Sequence, residues 1–245
     1  MRVILNADDY GYSKGVNLGI IESHINGVVK STTMMANMSG FEHGIKLAKE
    51  NETLKIGVHL TLTAGKTLGG VYKTISDENG MFLPLREIEN LAKENKLDTV
   101  EIENEYTLQI EKILNTGIKP THFDGHHHTQ CLPNIIDVFL KIAKKYNVPV
   151  RVSDKSIADK HNLKAVALNT EFFGENVTDR GIIDILSSLK EDTEIMCHPA
   201  YIDEFLYKSS SYNINRAFEL GILTNQKLKD FINEKNIVIS SFEDI

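Results

Sequence analysis

Short apolar runs alternate with amphipathic stretches along most of the chain. Residues 2–7 form an apolar run that predicts a buried strand. Ser13 can cap the helix that follows, whose apolar positions are Val16, Ile20 and Ile21 and which stops near Gly27. Residues 28–36 predict a second strand and residues 41–50 a helix. Residues 55–63 alternate: Ile56, Val58, Leu60 and Leu62 fall on one face, Gly57, His59 and Thr61 on the other. In a barrel whose strands turn apolar residues toward outer helices, His59 would face the interior. Residues 64–84 are rich in Gly and Thr, with turn signals at Gly69-Gly70 and Asn79-Gly80, and predict a long excursion with a small hairpin. Helices are expected at 85–94 and 99–116, with Gly117 as C-cap, and from Pro133 to residue 146. Strands are expected at 148–152, 164–169, 194–197 and 237–240, and helices at 178–190 and from a Thr224 cap to about residue 233.

This alternation makes seven or eight βα units, so the expected fold is α/β with a mostly parallel sheet. Unit count and length favour a closed or nearly closed (β/α) barrel over an open doubly wound sheet, as a single domain over residues 1–245. The glycine pattern of a dinucleotide site is absent after the first strand, and so is a P-loop.

Composition narrows the function classes. A hydrophobic share of 41% and a charged share of 25% are those of a soluble globular protein. The net charge of -7 argues against a general nucleic-acid or anionic-membrane partner. Two cysteines, Cys131 and Cys197, indicate no disulfide framework and fit a reducing compartment. The first apolar run is too short for a signal-peptide core, and no run of about 18 apolar residues exists. A cytoplasmic protein is expected.

The chemistry concentrates in Thr121-His122-Phe123-Asp124-Gly125-His126-His127-His128, which holds four of the nine histidines beside a carboxylate. The stretch falls where a strand ends and a loop begins, the place where barrel proteins carry catalytic side chains. If extended, His127 and His128 point to opposite sides. Other reactive residues fall at matching places: Asp8 and Asp9 after the first strand, His59 late in the third, Arg151 in the fifth and His198 after the seventh. Each has a plainer reading alone. Asp8 and Asp9 could complement a helix dipole, His59 could be a satisfied interior imidazole, Arg151 an ion-pair partner, and His198 a turn residue before Pro199. Together, two histidines and a carboxylate make a three-ligand site of the catalytic metal type, with an acid and a histidine left for proton transfer.

Five separated motifs carry a family resemblance: residues 6–15 (NADDYGYSKG), 31–34 (STTM), 57–63 (GVHLTLT), 120–128 (PTHFDGHHH) and 196–200 (MCHPA). In this order they resemble the YdjC-like carbohydrate deacetylases, from residue 4 to the C-terminus. The resemblance implies a variant (β/α) barrel of the glycoside hydrolase/deacetylase type, a homodimer and a divalent metal. It also implies removal of acetyl groups from N-acetylated mono- or oligosaccharides such as chito-oligosaccharides. It assigns metal ligation to Asp9, His59 and His126, the general base to Asp8, the general acid to His198, and orientation of the base to Arg151. Magnesium is the metal the family implies, whereas the ligand types suit zinc, manganese, iron or cobalt. Gly125 departs from the family, where the chito-oligosaccharide enzyme has serine. Asp124 is expected to orient a ligand histidine. Two rival readings are a metal phosphoesterase on the same barrel, for which only Arg151 and Lys14 are candidate basic residues, and a non-catalytic sugar-binding protein.

Overall fold

The computed structural model describes residues 1–245. It is an α/β fold of the (β/α)-barrel type with a mostly parallel, seven-stranded sheet. In chain order the strands are β1 (Arg2–Tyr10), β2 (Ser31–Met34), β3 (Lys55–Leu60), β4 (Phe123–Gly125), β5 (Ala167–Asn169), β6 (Thr193–Cys197) and β7 (Val238–Ile239). The helices are α1 (Lys14–Ile25), α2 (Phe41–Glu50), α3 (Leu85–Lys93), α4 (Thr99–Leu114), α5 (Ile135–Tyr146), α6 (Lys155–Lys160), α7 (Asp179–Ser188), α8 (Glu204–Ser209), α9 (Ile214–Thr224) and α10 (Gln226–Glu234). None is long and apolar enough to cross a membrane. The chain forms two compact units. The first is Met1–Thr33, Ser39–Lys55 and Val166–Ile245; the second is Met34–Met38 and Ile56–Ala165.

The first unit is built on β1. It runs parallel to β6 from Val3↔Thr193 to Ala7↔Cys197, β6 runs parallel to β5, and β7 pairs with the start of β1. All of β1 after Arg2 is buried, and its opening Val3, Ile4 and Leu5 are apolar on both faces. Fully buried side chains such as Leu5, Ile20 and Phe242 each contribute about 1.5–3 kcal/mol. Ser13 caps α1 as expected, accepting from the Val16 N–H at 3.2 Å. The register has a chemical consequence. The residues after Ala7 and Cys197 are Asp8 and His198, so two neighbouring strands deliver them side by side.

In the second unit, β3 and β4 are parallel and place His59 opposite Asp124. Gly57 is required there, because a Cβ would sit 2.5 Å from the His122 ring and 2.6 Å from its carbonyl oxygen. Past the end of β3, α4 supplies a substitute strand partner. The Gln109 side chain accepts from the Thr61 N–H and donates to its carbonyl, both at 2.9 Å. Glu105, also buried on α4, accepts from the N–H groups of Leu68 and Gly69. It thereby ties down the excursion at 64–84, which carries two antiparallel bridges, Lys66↔Met81 and Ser76↔Phe82.

Three expectations need correction. Asp8 and Asp9 lie inside β1, not after it. Residues 148–152, which hold Arg151, make only a bridge of Val150 to Phe123, since Pro149 has no N–H to give a ladder. Thr224 ends α9, and Asn225 caps α10 through the Lys227 N–H at 3.1 Å. The helices α8 and α9 were not legible, because Phe205, Tyr207 and Phe218 stand exposed and blur the apolar stripe.

Candidate active site

In the first unit, the ends of β1 and β6 hold a carboxylate against an imidazole. Asp8 is buried, and its Oδ2 lies 4.0 Å from Nε2 of His198. Asn6 Nδ2 donates to the other oxygen of Asp8 at 2.9 Å. Asp9 takes a left-handed backbone, φ 71°, in a turn closed by the Tyr12 N–H on its carbonyl at 2.9 Å. A non-glycine residue there costs about 1–3 kcal/mol, a strain that clusters at functional positions. Arg216, itself buried, donates to Asp9 Oδ2 at 2.7 Å and is held by the Tyr212 carbonyl at 2.7 Å.

Glu219 of α9 ties this corner together. Its carboxylate accepts from the backbone N–H of His198 and from the Tyr212 hydroxyl at 2.5 Å, and lies 4.0 Å from His198 Nδ1. Burial pushes the Glu219 carboxyl up to about 7, against the hydrogen bonds from Tyr212 and His198 and the charge of Arg216; the charge of Asp8 adds to the rise. Burial also raises the Tyr212 phenol, and the neighbouring Glu219 raises it further.

In the second unit, one carboxylate sits between two cationic-type groups. Asp124 contacts His59 Nδ1 at 2.7 Å through Oδ1 and Arg151 Nη1 at 2.9 Å through Oδ2. All three are at most 2% exposed. With Nδ1 turned to the carboxylate, the hydrogen-bond pattern assigns the His59 proton to Nδ1 and the lone pair to Nε2, the arrangement of a metal-ligating histidine. His126 follows β4 directly and is buried, its ring centroid 5.4 Å from that of His59. His127 and His128 are not extended. Their φ values of 55° and 53° are left-handed and put a non-helical kink into residues 126–131, where the His127 ring lies against that of His126 with centroids 3.9 Å apart. His127 Nδ1 is 2.9 Å from the Thr63 hydroxyl. At Gly125, a Cβ would approach the Gln130 side-chain oxygen to 2.4 Å, so the Gln130 amide fills the space of a serine side chain.

The predicted residues thus assemble within their units: Asp8 with His198 in the first, His59 with Asp124, Arg151 and His126 in the second. Asp9, His59 and His126 are buried donors, one carboxylate and two imidazoles, of kinds that hold a divalent ion. Three residues escaped sequence reasoning: Arg216, Glu219 and Tyr212. Arg216 and Glu219 stand three apart on a helix, which reads as an exposed pair; only their burial reveals otherwise. Lys14 is exposed. Cys131 is partly buried, and burial pushes its thiol up, so it is no activated nucleophile.

A mostly parallel α/β fold with carboxylate and imidazole donors at its strand ends is a barrel-type scaffold carrying a candidate site. Comparison with known proteins narrows it: the chain belongs to the YdjC-like protein family, whose profile matches residues 2–234. It is 42% identical to a protein of Clostridium beijerinckii and 39% identical to one of Brevibacillus brevis, each named carbohydrate deacetylase and each covered over its full length, as is this chain. Among solved structures it is similar to a candidate cellobiose-phosphate cleavage protein of Enterococcus faecalis V583. That likeness has a TM-score of 0.90 and 31% identity over 99% of this chain and 98% of the other. The Bc1960 peptidoglycan N-acetylglucosamine deacetylase shares the fold at a TM-score of 0.56 and 15% identity, over 98% of this chain and 85% of its own.

Proposed function

We propose that the chain is a metal-dependent hydrolase that removes acetyl groups from N-acetylated sugars such as chito-oligosaccharides. The observation that carries this reading is the pairing of Asp8 with His198 at the ends of β1 and β6. Amide hydrolysis needs a base for the attacking water and an acid for the departing amine. Asp8 is the base. Asn6 holds one of its oxygens, which orients Oδ2 to take the water proton. His198 is the acid and gives its Nε2 proton to the leaving nitrogen, because an amide anion leaves poorly. The Glu219 and Tyr212 contacts fix the backbone and surroundings of His198. The relatives named carbohydrate deacetylase, matched over their full length, support an acetylated sugar as substrate.

Asp9, His59 and His126 would hold the metal. The fit rests on their donor chemistry and on Asp124, which fixes the tautomer that points His59 Nε2 toward a ligand. Arg216 donates to Asp9 Oδ2 and so orients the carboxylate. A divalent ion held there supplies Lewis acidity, polarising an acetyl carbonyl and acidifying water. Two imidazoles with one carboxylate favour zinc, manganese, iron or cobalt, while magnesium is the metal that the family resemblance implies. Arg151 holds Asp124 and so acts as a positioning residue. The reading includes a cytoplasmic homodimer.

The test is acetate release from N,N′-diacetylchitobiose by chelator-stripped protein with Mg²⁺, Zn²⁺, Mn²⁺ or Co²⁺ added back. Release that returns with one metal is the expected result. Sugar binding without release under any metal would favour a binding protein, and hydrolysis of phosphate esters alone would favour a phosphoesterase.

A further inference from the structure

Phe173 lies in the first unit, shortly after β5, and is 44% exposed. One side of its ring is covered. Tyr212 stacks on it with centroids 4.0 Å apart and planes 13° apart. His198 stands edge-on to both rings, 5.8 Å from Phe173 and 5.6 Å from Tyr212. The backing ring is held firmly. The Tyr212 hydroxyl donates to Glu219, and the Arg216 guanidinium lies 5.6 Å from its ring centroid. The turn after Phe173 is tied to the start of α9, because Asn215 Nδ2 donates to the Gly174 carbonyl at 3.3 Å. Phe173 is therefore an open aromatic face on a rigid backing, set beside the proposed acid.

We propose that Phe173 is a substrate-positioning residue: the platform on which the C–H face of the pyranose stacks, with its 2-amino nitrogen turned to His198. This rests on the reading of His198 as the acid. The leaving nitrogen is bonded to the sugar ring, so a proton from His198 reaches it only if that ring lies beside His198. The exposed apolar ring of this unit stacked beside His198 is Phe173. A pyranose has an apolar C–H face and a rim of hydroxyls. An aromatic face takes the first and leaves the hydroxyls to polar partners and water. Because the backing fixes the tilt of the ring, the platform selects cyclic acetamido sugars over acyclic acetamides.

The test uses the metal-replete full chain as wild type, Phe173→Ala, Phe173→Leu and Phe173→Tyr. Binding of N,N′-diacetylchitobiose is measured by calorimetry and acetate release by steady-state kinetics. The Ala and Leu variants are expected to weaken binding and raise KM about tenfold, or about 1.4 kcal/mol. Their kcat is expected to fall as well, about tenfold, because the 2-amino nitrogen is no longer held beside His198. Phe173→Tyr, which keeps the flat ring, restores both. Leucine keeps apolar bulk without a flat face, so a Leu variant that binds like wild type overturns the platform, as does a fall in kcat with KM unchanged. Wild type that binds the disaccharide but releases no acetate overturns the deacetylase reading alone, and loss of binding in Phe173→Ala then upholds the platform. Wild type that neither binds nor releases overturns both.

Discussion

The two units organise buried charge in opposite ways. In the first, the carboxylates Asp9 and Glu219 draw their donors from one short stretch: Arg216 on Asp9 and Tyr212 on Glu219. In the second, a single carboxylate, Asp124, is the hub, with an imidazole on one oxygen and a guanidinium on the other. A carboxylate hub fixes the tautomer of its histidine and offers that ring to an electrophile. A carboxylate beside a partly buried imidazole, as Asp8 stands to His198, suits proton movement instead. On the proposed reading the second unit therefore mainly holds, and the first mainly moves protons.

The sharpest break of that contrast comes from the imidazoles. His59→Ala and His126→Ala are expected to drop acetate release to background and to lose the metal, with far-UV circular dichroism unchanged. Next, Asp8→Asn and His198→Gln are expected to lower kcat by about 10²–10⁴ while the metal is retained. If Asp8→Asn loses the ion and His59→Ala keeps it, the contrast is reversed. Removing Arg216 takes the guanidinium away from the buried Asp9 carboxylate, so Arg216→Ala should cost about 3–5 kcal/mol in urea unfolding of the metal-free protein. Asp124→Asn should weaken metal affinity about 10- to 100-fold, read by competition with a chelating dye. The smallest effect is in pH. Burial raises the folded Glu219 pKa from 4.5 to about 7. The folded state then keeps a proton that the unfolded state releases, so this group's contribution is fully present below the unfolded value and is lost as pH rises to about 7. Glu219→Gln should therefore lose less stability than wild type between about pH 5 and about pH 8 in urea unfolding.

The second unit was the more legible of the two. Strict alternation over 55–63 placed His59 away from Val58 and Leu60, and the His-rich strand end was visible by eye. The direct pairing of His59 with Asp124 needed register, which no single strand carries. The curl at His127 and His128 was hidden because a left-handed backbone at histidine has no pattern in sequence. In the first unit β1 was legible as an apolar run, yet its end was not. Two acids ordinarily stop a buried strand, and here they continue it because Asn6 and Arg216 satisfy them. Arg216, Glu219 and Tyr212 stayed hidden because α8 and α9 expose aromatic residues, so their buried polar faces do not stand out from the pattern.

The central claim is that Asp9, His59 and His126 together hold one divalent ion. The direct measurement is metal content by mass spectrometry after loading with Zn²⁺ or Mn²⁺ and desalting, for wild type, Asp8→Asn, Asp9→Ala, His59→Ala and His126→Ala. The expected result is about one ion per chain in wild type and Asp8→Asn, and none in the other three. Wild-type metal content in His59→Ala and His126→Ala would contradict it.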